Sequence, residues 1–534
     1  MATSDSPTAG ASSPPAQGGG RAVLWLAGVI LVSLLVRAPG LKLPLDQDGA
    51  VFCYAATQWA GGGLPYRDAW DHKSPLIYLT YMGLFALSPA TPATVNTTLR
   101  VGSAACDIVT LLLLFFLVRR FFGSGAGVVA ALGYGLFTGA VGLQLEALQP
   151  ERLTVMLCTA GVLAAAAYAD SRRCVYAALS GLLFGLGMIA KQIAAPVGLL
   201  AWLWVTWDAL RAGGRAALGR VAVHSLLMAG GVVLPWAACA GYFASQGAFG
   251  DFWTCTYEYN VFYATEHRKG LLAEGLRKMW ETKVYDHAFL WLTAFAGVVL
   301  ALARPRERRG GLLVLGWILA AFLALFLPGQ FAYYYYIPTV APLAAASAVA
   351  LVGLWRLARG SLPLPARVVL AGVPALALLG MLGFAAKRAY GQFQDHTSPK
   401  SANVVIAEVA KYLAERTKPE DRLYMWGGRP QVYVLSGRRS VCRYLYNFYY
   451  GLPQDKAYHY RPEKRKEIIA ALAKYQPPYI VVIVEIGKGG KEKDPFEMFP
   501  ELREYMAEHY EPTPEKEWPA EAWAPRVYTR KAAP

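Results

Sequence analysis

The stretch Val221-Ala-Val-His-Ser-Leu-Leu-Met-Ala-Gly-Gly-Val-Val-Leu-Pro-Trp-Ala-Ala-Cys-Ala240 contains no Asp, Glu, Lys or Arg. Wound as a helix at about 1.5 Å per residue, such a run covers roughly 30 Å, the hydrocarbon thickness of a bilayer. Ala22–Val36, Leu111–Leu117 and Val175–Ala190 continue the pattern, the shorter ones with apolar flanks. Inside lipid every backbone N–H and C=O must be satisfied within the segment, so these runs predict helices. The reading is a polytopic α-helical membrane protein with about eleven spans, near 22–37, 100–118, 124–142, 153–169, 174–190, 193–210, 221–243, 287–303, 311–328, 335–355 and 366–386.

Over the whole chain of 534 residues, 55% are hydrophobic and only 16% charged, which argues against a string of soluble domains. A net charge of +16 would suggest nucleic acid in a soluble protein. Here the basic residues sit in short clusters between apolar runs: Arg119–Arg120, Arg172–Arg173, Arg211–Arg220, Arg304–Arg309 and Arg356–Arg367. Such clusters mark cytoplasmic loops, so the partner implied is the membrane and not nucleic acid. Pro75–Pro89 is apolar but short. If it crosses, every later Arg cluster lands outside; if it does not, all of them fall inside. The second choice puts the N-terminus in the cytoplasm and the loops at 38–99, 143–152, 244–286 and 329–334 on the outer face, together with the C-terminal region. The external acids then include Asp46, Asp48, Asp68, Asp71, Glu146, Glu151, Asp251, Glu258 and Glu266. Topology does not require them there.

The seven Cys residues are scattered without a CxxC pair, so neither a disulfide framework nor a zinc ribbon follows. Residues 1–20 are rich in Ser, Pro, Ala and Gly and read as a disordered tail. The apolar segment behind them lacks a small-residue cleavage site and reads as a retained span. From Lys387 charged and apolar residues mix. Asn403–Arg416 and Glu463–Tyr475 read as helices, Arg422–Trp426, Tyr479–Val484 and Arg526–Arg530 as strands, giving a small α/β domain over 387–534 after a membrane domain over 21–386.

The first external loop is the richest in chemistry: Pro44-Leu-Asp-Gln-Asp-Gly-Ala-Val-Phe-Cys-Tyr54, then Gly61-Gly-Gly-Leu-Pro-Tyr-Arg-Asp-Ala-Trp-Asp-His-Lys-Ser-Pro-Leu-Ile-Tyr78. Ala50–Ala60 could lie as a helix along the membrane surface. In the structural reading Asp48 is its N-cap and Gly61–Gly63 its stop. An outward Lys73 or Lys191 could simply snorkel, and the aromatics around Asn260 could be interface anchors.

These motifs, in this order, resemble the first loop of membrane glycosyltransferases with the GT-C fold, closest to the family 39 group related to protein O-mannosyltransferases and lipid A aminoarabinose transferases. Leu148-Gln-Pro-Glu-Arg-Leu153 is similar to the family's acidic residue opening a helix, and Gly185-Leu-Gly-Met-Ile-Ala-Lys-Gln192 to its Gly-rich helix ending in Lys-Gln. Phe331-Ala-Tyr-Tyr-Tyr-Tyr-Ile-Pro338 resembles a late His-Tyr motif, with Tyr334 standing where the family has His. Leu423-Tyr-Met-Trp-Gly427, Tyr433 and Ser436-Gly-Arg438 resemble the C-terminal domain of bacterial members.

The resemblance implies transfer of a sugar from a polyprenyl-phosphate carrier to a lipid, glycan or protein acceptor, in a multi-pass cell membrane protein of the bacterial inner-membrane type. Asp48 matches the catalytic Asp, but the acidic residue that normally follows it is Gly49 here, so Asp46 or Glu151 is the candidate second carboxylate. Lys73 matches a phosphate-binding Lys. Lys191, Gln192, Tyr66, Arg67, Asn260 and Tyr334 are further substrate-binding candidates. His72 stands in the place of an acidic metal ligand, so a divalent ion with Glu258, Glu266 and His267 as partners is implied as a possible cofactor. Two other function classes compete. A secondary transporter would show repeats and polar or broken mid-membrane helices, whereas here the spans carry little charge apart from Asp107. A membrane anchor for the C-terminal domain would not need eleven spans.

Overall fold

The computed structural model describes residues 19–139, 147–214, 216–266, 273, 275–277, 285–329, 331–446, 462–486, 494–497, 499–513 and 523–532. The first 18 residues of the tail read over 1–20, the acid Glu146 and His267 lie outside them, while Gly19 and Gly20 begin the first helix.

Every stretch read as a span is helical over its described residues, except that the one over 311–328 ends at Phe326 and turns at Leu327 and Pro328. Among the described residues, seven helices are long and apolar enough to cross a membrane: Ala22–Lys42, Val95–Phe122, Pro150–Ser171, Gln192–Arg211, Ala216–Ser245, Arg308–Phe326 and Tyr334–Ala358. Shorter apolar helices cover Leu76–Leu87, Ser124–Gly139, Cys174–Ala190, Ala288–Ala303 and Leu364–Leu376. The chain is a multi-pass helical membrane protein. Leu76–Leu87 has 12 residues, an axial length of about 18 Å at the helical rise and short of the bilayer core.

Charge orders the bundle at one end. Arg120 pairs with Asp170, Arg309 bridges Asp170 and Asp208, Arg172 holds Asp208, and Arg356 reaches Glu307 and the Phe122 carbonyl. The basic loop clusters therefore meet on one face. A second charge cluster is buried: Asp107, within the Val95–Phe122 helix, is fully enclosed and pairs with both Arg37 and Arg152, while Tyr134 donates to its other oxygen at 2.9 Å. The apparent lone charge of the spans is thus neutralised by residues at the ends of two other helices.

Close backbone approach comes from small residues. A Cβ on Gly181 would lie 2.2 Å from the Met228 carbonyl oxygen, and one on Gly185 2.7 Å from that of Val232. With Gly231 facing Gly181 from the other side, the Cys174–Ala190 and Ala216–Ser245 helices pack main chain against main chain. This contact sets where Lys191, just beyond the first helix, meets the wall of the second.

The C-terminal region forms a five-stranded sheet of order β2-β1-β3-β5-β4, with β1 Arg422–Trp426, β2 Arg439–Ser440, β3 Tyr479–Glu485, β4 Tyr510–Pro512 and β5 Trp523–Arg530. β1 runs parallel to β2 and β3; β5 is antiparallel to β3 and β4. The helix Leu364–Thr397 leads toward it without a break at Lys387. The sheet domain sits on the first loop: Ser440 N–H donates to the Tyr54 hydroxyl at 2.9 Å, and Trp70 N–H to the Arg443 carbonyl at 2.8 Å. The loop helix is Gln47–Ala60, and its residues 49–56 are buried between the sheet domain and the Leu76–Leu87 helix, with Tyr54 against Tyr433 and Phe52 against Tyr78 and Tyr81.

Candidate functional site

The Gln47–Ala60 helix begins at the Asp-Gln-Asp-Gly turn, and the N-cap is Asp46, not Asp48. Asp46 is extended and buried; its Oδ1 accepts the Gly49 N–H at 2.7 Å and its Oδ2 the Ala147 N–H at 2.8 Å. The second donor, which the local turn could not reveal, makes the choice. Burial raises the Asp46 pKa against the lowering effect of these two bonds. The same arrangement accounts for Gly49: a Cβ there would lie 2.9 Å from Asp46 Oδ2. Gly49→Ala should therefore displace the cap and lower stability by about 0.5–2 kcal/mol, the usual worth of an N-cap. Thermal unfolding in detergent checks this, and an unchanged midpoint would show that Asp46 gives way freely.

With Asp46 committed to the backbone, Asp48 is left half-buried in the first helical turn, its Oδ2 accepting from the Tyr334 hydroxyl at 3.1 Å. Tyr334 is therefore a direct partner of this carboxylate.

The Asp71-His-Lys-Ser74 segment lies beside it. Asp71 is buried and accepts from Tyr78 at 2.8 Å, Tyr446 at 3.1 Å and the His72 N–H at 2.8 Å. Burial raises its pKa, opposed most by the Lys73 charge. The His72 ring presents Nδ1 to Asp71 Oδ1 at 3.5 Å and Nε2 to Lys73 Nζ at 2.7 Å. An ammonium only donates, so with Lys73 charged His72 accepts at Nε2 and carries its proton on Nδ1. Burial and then the Lys191 charge lower the Lys73 pKa, while Asp48, Asp71 and Glu151 act in the opposite direction. Lys191 forms a close ion pair with the fully buried Glu151 and stands 3.7 Å from the Tyr335 ring centroid.

Several candidates hold the segment from behind. Asn260 donates to the carbonyls of His72 and Thr256, both at 2.9 Å, and Gln192 donates to Ser74 Oγ at 3.1 Å and to the Thr256 carbonyl at 3.0 Å. Thr256 lies in a π-helical turn, Thr254–Glu258, and its carbonyl serves both amides; such turns recur at functional sites. Tyr66 is buried in the left-handed region at φ +73°, closed by its N–H to the Ala69 carbonyl at 2.7 Å, and its hydroxyl donates to the Lys73 carbonyl at 2.8 Å. Arg67 stands apart: it is exposed and pairs with Asp68 at 2.9 Å.

Part of this network opens onto a cavity of about 840 Å³. His72, Lys73, Lys191 and Gln192 line its polar end; Val232, Val233, Trp236, Ala237 and Ala240 form one apolar wall, and Phe249, Trp253 and Tyr257 another. The aromatics are spaced by four, a helical stripe visible in the sequence; the wall from residues 232–240 is hidden there among other apolar positions. In the sequence Asp71 stood only among the external acids and Tyr335 only within the Tyr333–Tyr336 run, neither with a role of its own, and Tyr446 carried no signal.

His72 does not fit a metal ligand as arranged, because its Nε2 faces the Lys73 ammonium and its Nδ1 faces Asp71. His267 and the Glu266 side chain lie outside the described residues. Among the described residues no three His, Cys, Asp or Glu side chains form a group suited to a metal.

Residues 73–236 match the family described as dolichyl-phosphate-mannose-protein mannosyltransferase. A search of curated protein sequences finds no match. Among solved structures, ArnT from Cupriavidus metallidurans bound to undecaprenyl phosphate is 16% identical with a TM-score of 0.56, covering 95% of this chain and 98% of that one. The oligosaccharyltransferase AglB from Archaeoglobus fulgidus, in complex with an inhibitory peptide and a dolichol-phosphate, is 12% identical with a TM-score of 0.54, covering 89% and 74%. A further A. fulgidus oligosaccharyltransferase structure, a complex with Zn and sulfate, is 15% identical with a TM-score of 0.52, covering 86% and 68%. The chain has the GT-C fold of membrane glycosyltransferases related to the protein mannosyltransferases and ArnT.

Proposed function

We propose that this protein is a glycosyltransferase that moves a sugar from a polyprenyl-phosphate carrier to an acceptor at the outer face of the membrane. The observation that carries the reading is the amphipathic cavity, with two lysines at one end and apolar and aromatic walls behind; the Asp48 carboxylate is linked to that end through Tyr334, whose ring centroid is 5.8 Å from Lys191 Nζ. A lipid phosphate has that same division of chemistry. The carriers bound in the ArnT and AglB structures, undecaprenyl phosphate and dolichol-phosphate, support the analogy.

In the reaction the acceptor attacks the anomeric carbon, the bond from that carbon to the carrier phosphate oxygen breaks, and the electron pair leaves with the phosphate. Asp48 takes the acceptor proton, as a general base. Lys73 and Lys191 stabilise the charge left on the phosphate oxygens. Asp46 holds the turn that presents Asp48, and Glu151 holds Lys191. Tyr334 orients Asp48; Gln192, Asn260 and Tyr66 hold the loop. No step is assigned to a divalent ion. The arginine-rich face of the bundle is taken as cytoplasmic, which places the site and the domain over residues 387–534 outside, with residues 21–386 as the transferase domain.

The test incubates purified protein with a panel of polyprenyl-phosphate sugars and detects released polyprenyl phosphate by mass spectrometry; release from no member of the panel overturns the reading. Lys73→Ala should lower carrier affinity by about tenfold or more, since hydrogen bonds to charged groups contribute about 1.5–3 kcal/mol. Direct binding of polyprenyl phosphate measures this, and unchanged affinity in the folded variant removes Lys73 from the site.

A further inference from the structure

The carrier-phosphate lysine does not stand alone in the cavity. It ends a line of polar groups that begins in the C-terminal domain. The short strap Val441–Tyr446 follows β2, and its main chain is fixed to the first loop, because the Arg443 carbonyl accepts the Trp70 N–H at 2.8 Å. The Arg443 side chain meets Asp251 at 3.1 Å, ahead of the π-helical turn, and Glu467 of the sheet domain at 3.0 Å. From this anchored strap the buried Tyr446 reaches Asp71 Oδ1, the oxygen that also faces the His72 ring. The opposite ring nitrogen faces Lys73 Nζ. His72 is held flat by Tyr263, with ring centroids 5.6 Å apart and planes 29° apart, so the ring has little freedom to turn away.

We propose that Tyr446, Asp71 and His72 are positioning residues that aim the Lys73 ammonium at the carrier phosphate, and that the C-terminal domain thereby completes the donor site. This rests on the reading of the cavity as a carrier site. The physical case is one of geometry. A lysine side chain has four rotatable bonds and loses much rotamer freedom when fixed. An acceptor at 2.7 Å, itself oriented by a carboxylate, fixes it before the ligand arrives. Without the Tyr446 hydroxyl, Asp71 keeps Tyr78 on Oδ2 and the His72 N–H on Oδ1, so the fold survives, while Oδ1 loses the bond that reaches it from the C-terminal domain.

The test compares binding of a polyprenyl phosphate with that of the matching polyprenol, which lacks the phosphate, on the full-length protein in detergent. Tyr446→Phe should weaken phosphate binding by about fivefold, the effect of losing one hydrogen bond, and leave polyprenol binding unchanged. Tyr444→Phe, on the same strap but bonded to Glu467, should change neither. His72→Ala should lose phosphate affinity and His72→Gln keep it, since an amide can accept from Lys73 and donate to Asp71. If the wild type shows no preference for the phosphate, the cavity reading fails and the proposal with it. If the wild type prefers the phosphate and Lys73→Ala abolishes that preference while Tyr446→Phe and His72→Ala keep it, the proposal alone is overturned. Should Tyr446→Phe lose both lipids and unfold early, the His72 pair decides: equal phosphate affinity in Ala and Gln variants rejects the positioning role.

Discussion

Asp48→Asn is expected to lower the turnover of sugar transfer by about 10²–10⁴-fold, the usual contribution of a general base. The substitution keeps the side-chain volume, and the turn does not depend on it, because the helix is capped by Asp46. Asparagine can still accept from the Tyr334 hydroxyl, which at 3.1 Å holds Asp48 Oδ2. Thermal stability should therefore stay close to the wild type while activity collapses. Asp46→Asn should do the reverse: its amide oxygen can still accept the Gly49 N–H, but the NH2 group then faces the Ala147 N–H, and a buried donor left unsatisfied costs about 1–3 kcal/mol of stability. The pair is measured as single-turnover transfer and as unfolding midpoint. A fully active Asp48→Asn beside a folded but inactive Asp46→Asn would exchange the two roles, and full activity in both would remove this turn from the chemistry.

Asp107→Asn is expected to be the most destabilising single change among these variants. Asp107 and Arg152 are fully buried and Arg37 nearly so, with Asp107 the anion shared by both guanidinium groups. Removing one partner of a buried pair leaves uncompensated charge and typically costs about 3–5 kcal/mol. The control is Arg67→Ala, which breaks the exposed pair with Asp68; an exposed ion pair contributes about 0–1 kcal/mol. Unfolding in detergent micelles measures both. A loss at Asp107 no larger than at Arg67 would mean that Arg37 and Arg152 are balanced without it.

Much of the membrane part was legible because hydropathy belongs to contiguous residues. Val221–Ala240 reads as a span in isolation, and it lies within the helix Ala216–Ser245. The strands Arg422–Trp426 and Tyr479–Val484 were equally visible, as short apolar runs after turn residues; β2 and β4, of two and three residues, were too short to carry a pattern. The acidic first loop stood out by composition. Its internal division of labour did not. Asp46 and Asp48 are equivalent as local N-cap candidates, and the Ala147 N–H decides between them from 101 positions away. Similarly, Lys73 resembled a phosphate ligand through its motif, but nothing local showed that His72 would face its ammonium.

By itself, then, the amino-acid sequence determined the helical membrane class, the one-sided grouping of arginines and the α/β character of the C-terminal region, since each follows from the chemistry of neighbours along the chain. Tertiary structure decided which polar groups meet: Arg37 and Arg152 at Asp107, Glu151 at Lys191, Tyr334 at Asp48 and Tyr446 at Asp71. The physical reason is that a buried polar group must find a partner wherever packing brings one within about 3 Å. That partner is set by the approach of helices and loops distant in sequence, to which no periodicity or composition of either segment alone refers.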